Sequence, residues 1–236
     1  MHDPHATRAA RPHAGDARFR PRALVFDLDG TLTDNMAVHA EAFATFMRRH
    51  GMRPMTMADR RRYDGKRNAE IFPAIFGRPL GADELAALED EKERIYREIS
   101  RGQLRPVRGL LPLLDAARDH GIAVAVATSA PRANVEHTLE ELGQAWLLDH
   151  VVRGDQVPRG KPFPDVFLEA ARRLGVAPAA CLGFEDAPVG VEAVVAAGMA
   201  CVALTTSFDE ATLMASPVPP DLCLPDFAPY LDGPGA

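Results

Sequence analysis

Apolar positions along this chain change their period twice. Residues 23–26, 122–127 and 200–204 are short unbroken apolar runs, and 181–184 is a shorter one. Runs of this length, bounded by glycine and polar residues, read as strands buried on both faces of a parallel sheet. Between them the apolar residues recur at helical spacing. Val135, Leu139 and Leu142 fall on one face, as do Phe163, Phe167, Ala170 and Leu174. Strand, helix and strand in succession predict an α/β fold with a doubly wound parallel sheet. Residues 36–106 break the rhythm with several helical patterns and no clear strand, which predicts an all-helical cap inserted into a core made of 22–35 and 107–215. In the helix predicted over 82–100, Leu85, Leu88, Ile95 and Ile99 form an apolar stripe, and Lys92 occupies a position within it. A lysine there either snorkels to solvent or faces an anion.

Composition narrows the classes. Of 236 residues, 47% are hydrophobic and 25% charged, the balance of an ordinary globular protein, and no apolar run is long enough to cross a bilayer. No membrane partner is expected. Net charge is −6, and the first 22 residues hold five arginines against Asp3 and Asp16, so the remainder is more acidic than the whole. An acidic body argues against nucleic acid as a partner. Three cysteines lack the Cys-x-x-Cys spacing, and Cys181 and Cys201 border strand-like runs, where thiols pack as small hydrophobes. That suits a reducing, cytoplasmic setting. Residues 1–21, with His2, His5, His13 and several arginines but no apolar core, read as a disordered tail and not as a secretory signal. The proline-rich 216–236 reads as an irregular extension.

The candidate chemistry lies in Asp27-Leu28-Asp29-Gly30-Thr31-Leu32. Two carboxylates stand two residues apart at the carboxyl end of the first strand, where open α/β sheets bind ligands. Their repulsion calls for a cation or a shared proton. An Asp-Gly turn is also an ordinary way to end a strand, so the pair alone leaves both readings open.

This segment resembles motif I of the haloacid dehalogenase superfamily of phosphatases and phosphomutases. Residues 123–129 resemble motif II, Gly160-Lys161-Pro162-Phe163-Pro164-Asp165 motif III, and Gly183-Phe184-Glu185-Asp186-Ala187-Pro188-Val189-Gly190 motif IV. The order and spacing are similar to the β-phosphoglucomutase-like subfamily, which implies a Rossmann-like core with a helical cap. The resemblance implies Asp27 as nucleophile, forming an aspartyl-phosphate, and Asp29 as general acid and base with a pKa raised by burial and neighbouring charge. It implies Thr128, with the Ser129 backbone, and Lys161 as holders of the phosphoryl group. A Mg²⁺ site is implied at Asp27, the Asp29 backbone carbonyl and Asp186, with Glu185 directly or through water. In the cap, His39 aligns with a histidine near the leaving group, Lys92 with a substrate-facing lysine, and Gly65-Lys66-Arg67-Asn68 with a substrate loop.

Two departures shape the expected activity. The mutase-like arginine three residues after the loop glycine is Asn68 here, with Lys66 or Arg67 as possible substitutes. Ala130-Pro131-Arg132 lacks the mutase Ser-Lys pair, although Arg132 is a candidate phosphate ligand. An acid at Asp29 argues for phosphate esters over halides, because a halide leaves without a proton. The expectation is a Mg²⁺-dependent phosphatase acting on a small phosphate ester, a sugar phosphate, with β-phosphoglucomutase as the alternative and a non-catalytic phospholigand sensor as the third reading. The sequence leaves monomer and homodimer open.

Overall fold

The computed structural model describes residues 11–231. The tail expectation for 1–10 and the extension expectation for 232–236 lie outside them. Six strands form the sheet: β1 (Ala23–Phe26), β2 (Ala123–Thr128), β3 (Val151–Arg153), β4 (Cys181–Glu185), β5 (Ala200–Leu204) and β6 (Leu222–Leu224). Their order is β3-β2-β1-β4-β5-β6 and every neighbouring pair is parallel. The doubly wound α/β expectation is borne out. From central β1 the chain builds outward through β2 and β3, then returns to the other side for β4 to β6. That reversal opens a crevice at the carboxyl ends of β1 and β4.

The helices are α1 (Met36–Arg49), α2 (Met57–Arg60), α3 (Asn68–Phe76), α4 (Ala82–Ser100), α5 (Leu110–Asp119), α6 (Arg132–Glu141), α7 (Asp165–Leu174), α8 (Pro188–Ala196), α9 (Glu210–Met214) and α10 (Ala228–Leu231). Strand pleating divides the core into two layers. Leu24, Phe26, Val124, Val126 and Phe184 point to one face and pack with Leu110, Leu114, Leu139 and Phe227. Ala23, Val25, Ala125, Cys201 and Ala203 point to the other and meet Phe167, Ala170, Val191 and Val194. Gly183 lets α8 approach closely, since a Cβ there would overlap Val194.

The first four helices lie between Met36 and Ser100 and enclose their own core, including Phe46, Phe72, Ile95 and Tyr96. The two connections to the sheet pair where Thr33 bridges Pro106 and the Val107 N–H donates to the Leu32 carbonyl at 2.9 Å. Among the described residues no helix is long and apolar enough to cross a membrane.

Three expectations need correction. Residues 11–21 are not a free tail in this structure: Arg11 makes a double hydrogen bond to Asp221 at 2.6 and 2.8 Å, Ala14 donates its N–H to the same carboxylate at 3.1 Å, and Ala14 is buried. An ion pair reaching across the whole chain supplies what local composition lacks. The stretch from 216 is not wholly irregular, because β6 closes the sheet edge and Phe227 and Tyr230 enter the core. Phe163 is half-exposed, because α7 begins only at Asp165 and its ring instead lies under the Arg159 guanidinium.

Candidate active site

Three adjacent strands deliver the polar groups. Phe26 is in register with Val126 on one side and Phe184 on the other, so Asp27, Thr128 and Glu185 emerge together at the carboxyl ends of β1, β2 and β4. Asp27, Asp29, Thr128, Ser129, Lys161 and Asp186 line one cavity, together with His39, Gly65, Lys66, Asn68 and Lys92 of the cap. It measures about 80 Å³.

Lys161 is the hinge of the charge arrangement. It is 1% exposed, and its Nζ donates to Asp27 Oδ1 at 2.5 Å and Glu185 Oε1 at 2.6 Å. Glu185 Oε2 accepts the backbone N–H groups of Asp186 and Ala187 at the start of α8. Its oxygens are thus engaged, whereas Asp27 Oδ2 and Asp186 Oδ1 make no hydrogen bond among the described residues. Ligand oxygens of Asp27, Glu185 and Asp186 lie within 4.8 Å of one another. Burial, with Glu185 and Asp29 nearby, pushes the Asp27 carboxyl up to about 7 despite Lys161. Burial and the Glu185 and Asp27 charges also raise Asp186 well above the carboxylate range. Two crowded carboxylates with open oxygens fit a hard divalent cation. Gly30, at φ 78°, and Gly190 keep the cradle clear, since a Cβ at either would strike Asp186 or Glu185. The Asp29 carboxylate stands outside this cluster.

Asp29 departs from expectation. Burial raises its pKa, but the His39 charge, hydrogen bonds from His39 and Asn35, and Lys92 outweigh that and hold it below the ordinary value. It is ionised at rest. Asn35 Nδ2 donates to Asp29 Oδ1 at 2.6 Å and also reaches the Tyr96 hydroxyl at 2.6 Å. His39 stacks on Tyr96, with ring centroids 4.0 Å apart, and its Nε2 lies 3.4 Å from Asp29 Oδ1. Lys92 Nζ contacts His39 Nδ1 at 3.1 Å.

Lys92 does not snorkel. It is buried, held by Glu93 Oε1 at 2.9 Å, and its Nζ lies 4.3 Å from the centroid of the Phe43 ring. Two candidates are not brought to the cavity. Arg67 turns to Glu70 at 3.0 Å and the Gly154 carbonyl at 3.3 Å. Arg132, at the first turn of α6, runs along the exposed helix surface to Glu136 at 2.6 Å. Thr128 accepts the Ala130 N–H at 3.0 Å, and Ser129 Oγ donates to the Gly65 carbonyl at 2.9 Å, tying cap to core.

Sequence reasoning missed Asn35, Arg60, Glu93 and Asn134. Asn35 sits where an asparagine ordinarily caps a helix, yet its side chain makes no cap hydrogen bond and holds Asp29 instead. Glu93 is adjacent to Lys92 and accepts from Asn68 at 2.7 Å and from Asn134 at 2.6 Å. Only that adjacency gave a signal in the sequence.

Comparison with known proteins gives concordant findings. The model of the haloacid dehalogenase-like hydrolases matches residues 21–198. Validoxylamine A 7'-phosphate phosphatase of Streptomyces hygroscopicus subsp. limoneus is 33% identical over 208 residues, covering 84% of this chain and 92% of that protein. Fructose-1-phosphate phosphatase YqaB of Escherichia coli is 35% identical over 185 residues, covering 78% and 96%. The structure of CbbY from Rhodobacter sphaeroides in complex with phosphate superposes with a TM-score of 0.77 at 24% identity, covering 89% of this chain and 96% of that one.

Proposed function

The chain belongs to the haloacid dehalogenase-like hydrolases, and on that premise we propose that it hydrolyses the monophosphate of a small sugar or polyol through an aspartyl-phosphate on Asp27, with Mg²⁺ as its metal. Its class is that of a phosphomonoester hydrolase acting on phosphorylated sugar-like compounds. The observation that carries the reading is the convergence of Asp27, Thr128, Lys161 and Asp186 on one cavity.

Asp27 and Asp186, with Glu185 behind them, would hold the cation, which supplies positive charge against the phosphate and its attacking carboxylate. Lys161 fixes the Asp27 carboxylate through Oδ1, and one oxygen of that carboxylate would attack phosphorus while the other faces the cation. The same ammonium, with the Thr128 hydroxyl, balances charge on the transferring group. Asp29 acts at the leaving oxygen. Its resting anion is the form that takes a proton from water in the second step. For the first step it must be protonated, and a phosphate dianion entering beside it raises its pKa by like-charge repulsion. Asn35, donating to Asp29 Oδ1, keeps that carboxyl oriented, with His39 Nε2 beside it. A volume of about 80 Å³ implies that the cap moves to admit substrate and then excludes bulk water.

A mutase reading has support in the fold shared with β-phosphoglucomutases, at 22–23% identity. Asn68 and the outward Arg67 weigh against it, because they leave the cap loop without a guanidinium for a second phosphate. The test is incubation with Mg²⁺ and a panel of sugar and polyol phosphates, including β-glucose 1-phosphate primed with its bisphosphate. Free phosphate is the expected product. Glucose 6-phosphate without free phosphate would overturn the hydrolase assignment.

A further inference from the structure

At the cap end of the cavity two buried cations are each matched by their own acid. Lys92, 2% exposed, is held by Glu93 Oε1 at 2.9 Å, and Arg60, 6% exposed, by Asp64 at 3.2 Å. All four side chains line the cavity. Glu93 is itself fixed from two sides, by Asn68 of the cap and by Asn134 of α6, whose Oδ1 accepts from Arg97 at 2.8 Å. Its carboxylate therefore cannot swing away from Lys92 without breaking bonds to both domains. Lys66 also lines the cavity and makes no ion pair among the described residues, and it belongs to the loop tied to the core where the Gly65 carbonyl receives Ser129 Oγ.

A second phosphate or a carboxylate entering the cap end would meet ion pairs already neutralised, with the buried Glu93 and the half-buried Asp64 beside them. Desolvating such an anion without a free cation is unfavourable. A sugar hydroxyl meets the opposite situation, since amides and carboxylates offer it both donors and acceptors. We propose that Glu93 is a specificity-determining residue: by taking up the charge of Lys92 it turns the cap end into a reader of uncharged hydroxyls, so the enzyme accepts sugar or polyol monophosphates and rejects bisphosphates and acid-bearing esters. This rests on the phosphatase reading above and narrows its substrate class.

The experiment compares kcat/KM for sugar monophosphates, each paired with the bisphosphate of the same sugar, with Mg²⁺-dependent p-nitrophenyl phosphate turnover as a separate check. Absence of turnover on every ester, p-nitrophenyl phosphate included, overturns the phosphatase reading and the inference with it. With p-nitrophenyl phosphate turned over, the wild type should favour the best monophosphate over its bisphosphate by at least about tenfold. Glu93→Gln removes the charge and should narrow that ratio by about tenfold. The double variant Lys92→Met with Glu93→Gln, neutral again, should move the ratio back toward wild type. A role for Glu93 in folding alone would leave the ratio unchanged in all variants. Should Glu93→Gln fail to fold, the wild-type ratio still decides, and Asp64→Asn, which frees Arg60, should narrow it in the same direction. A wild type that prefers the bisphosphate, or a ratio unmoved in the folded variants, overturns the inference while leaving the hydrolase intact.

Discussion

Lys161 lies within 2.6 Å of two buried carboxylates, so its ammonium keeps the Asp27 and Glu185 charges from standing unpaired in the core. Removing one partner from a buried ion set leaves the others uncompensated. Lys161→Met should therefore lower the free energy of unfolding by about 3–5 kcal/mol in denaturant titration, and turnover by about 100-fold or more. A stable but inactive variant would mean that solvent reaches these carboxylates more freely than their burial indicates. Asp27 and Asp29 were legible in the sequence, because an Asp-x-Asp-Gly step after an apolar run fixes them at a strand end. Lys161 alone was not, since a lysine between glycine and proline is as well suited to a solvated loop. Asn35 and Glu93 gave weaker signals still. Each has an ordinary role as a helix cap or a polar helix position, and only the three-dimensional approach of Asp29 and Lys92 gives it another.

At the scale of elements, hydrophobic period carried the strands and the sheet direction, because unbroken apolar runs alternating with amphipathic helices have few other solutions. β3 and β6, three residues each at opposite sheet edges, escaped that reading. β6 is half-buried, in a proline-rich stretch with no periodicity to detect. What fixes the segment is Asp221, which lies just before β6 and accepts from Arg11, the Ala14 N–H and the Cys201 N–H, all distant in sequence. Pairing of that kind has no local signature. The Asp221 side chain is 1% exposed and that of Arg11 4%. Asp221→Asn should accordingly cost about 3 kcal/mol of stability and expose the arginines of the strap to trypsin. It stands at the amino end of its strand, away from the carboxyl-end crevice, so kcat of the folded variant should stay at the wild-type level. Unchanged stability and unchanged proteolysis would show that the strap contributes nothing to the fold.

On the scale of the whole molecule, a parallel sheet and a helical insertion meet over one small cavity. The contacts that span them, Ser129 to Gly65, Glu93 to Asn134 and Ser100 to His137 at 2.7 Å, are polar. Polar seams separate at lower cost than apolar cores, which suits a cap that must open for substrate and close for chemistry. The central claim is that the sheet presents the Asp27 carboxylate to phosphorus. It is tested most directly by rapid acid quenching during turnover, followed by peptide mass spectrometry of the trapped enzyme. A single phosphoryl group on the peptide bearing Asp27, absent from Asp27→Asn, is the expected result; phosphate release by Asp27→Asn, or a phosphoryl group carried on His39 instead, would contradict the account.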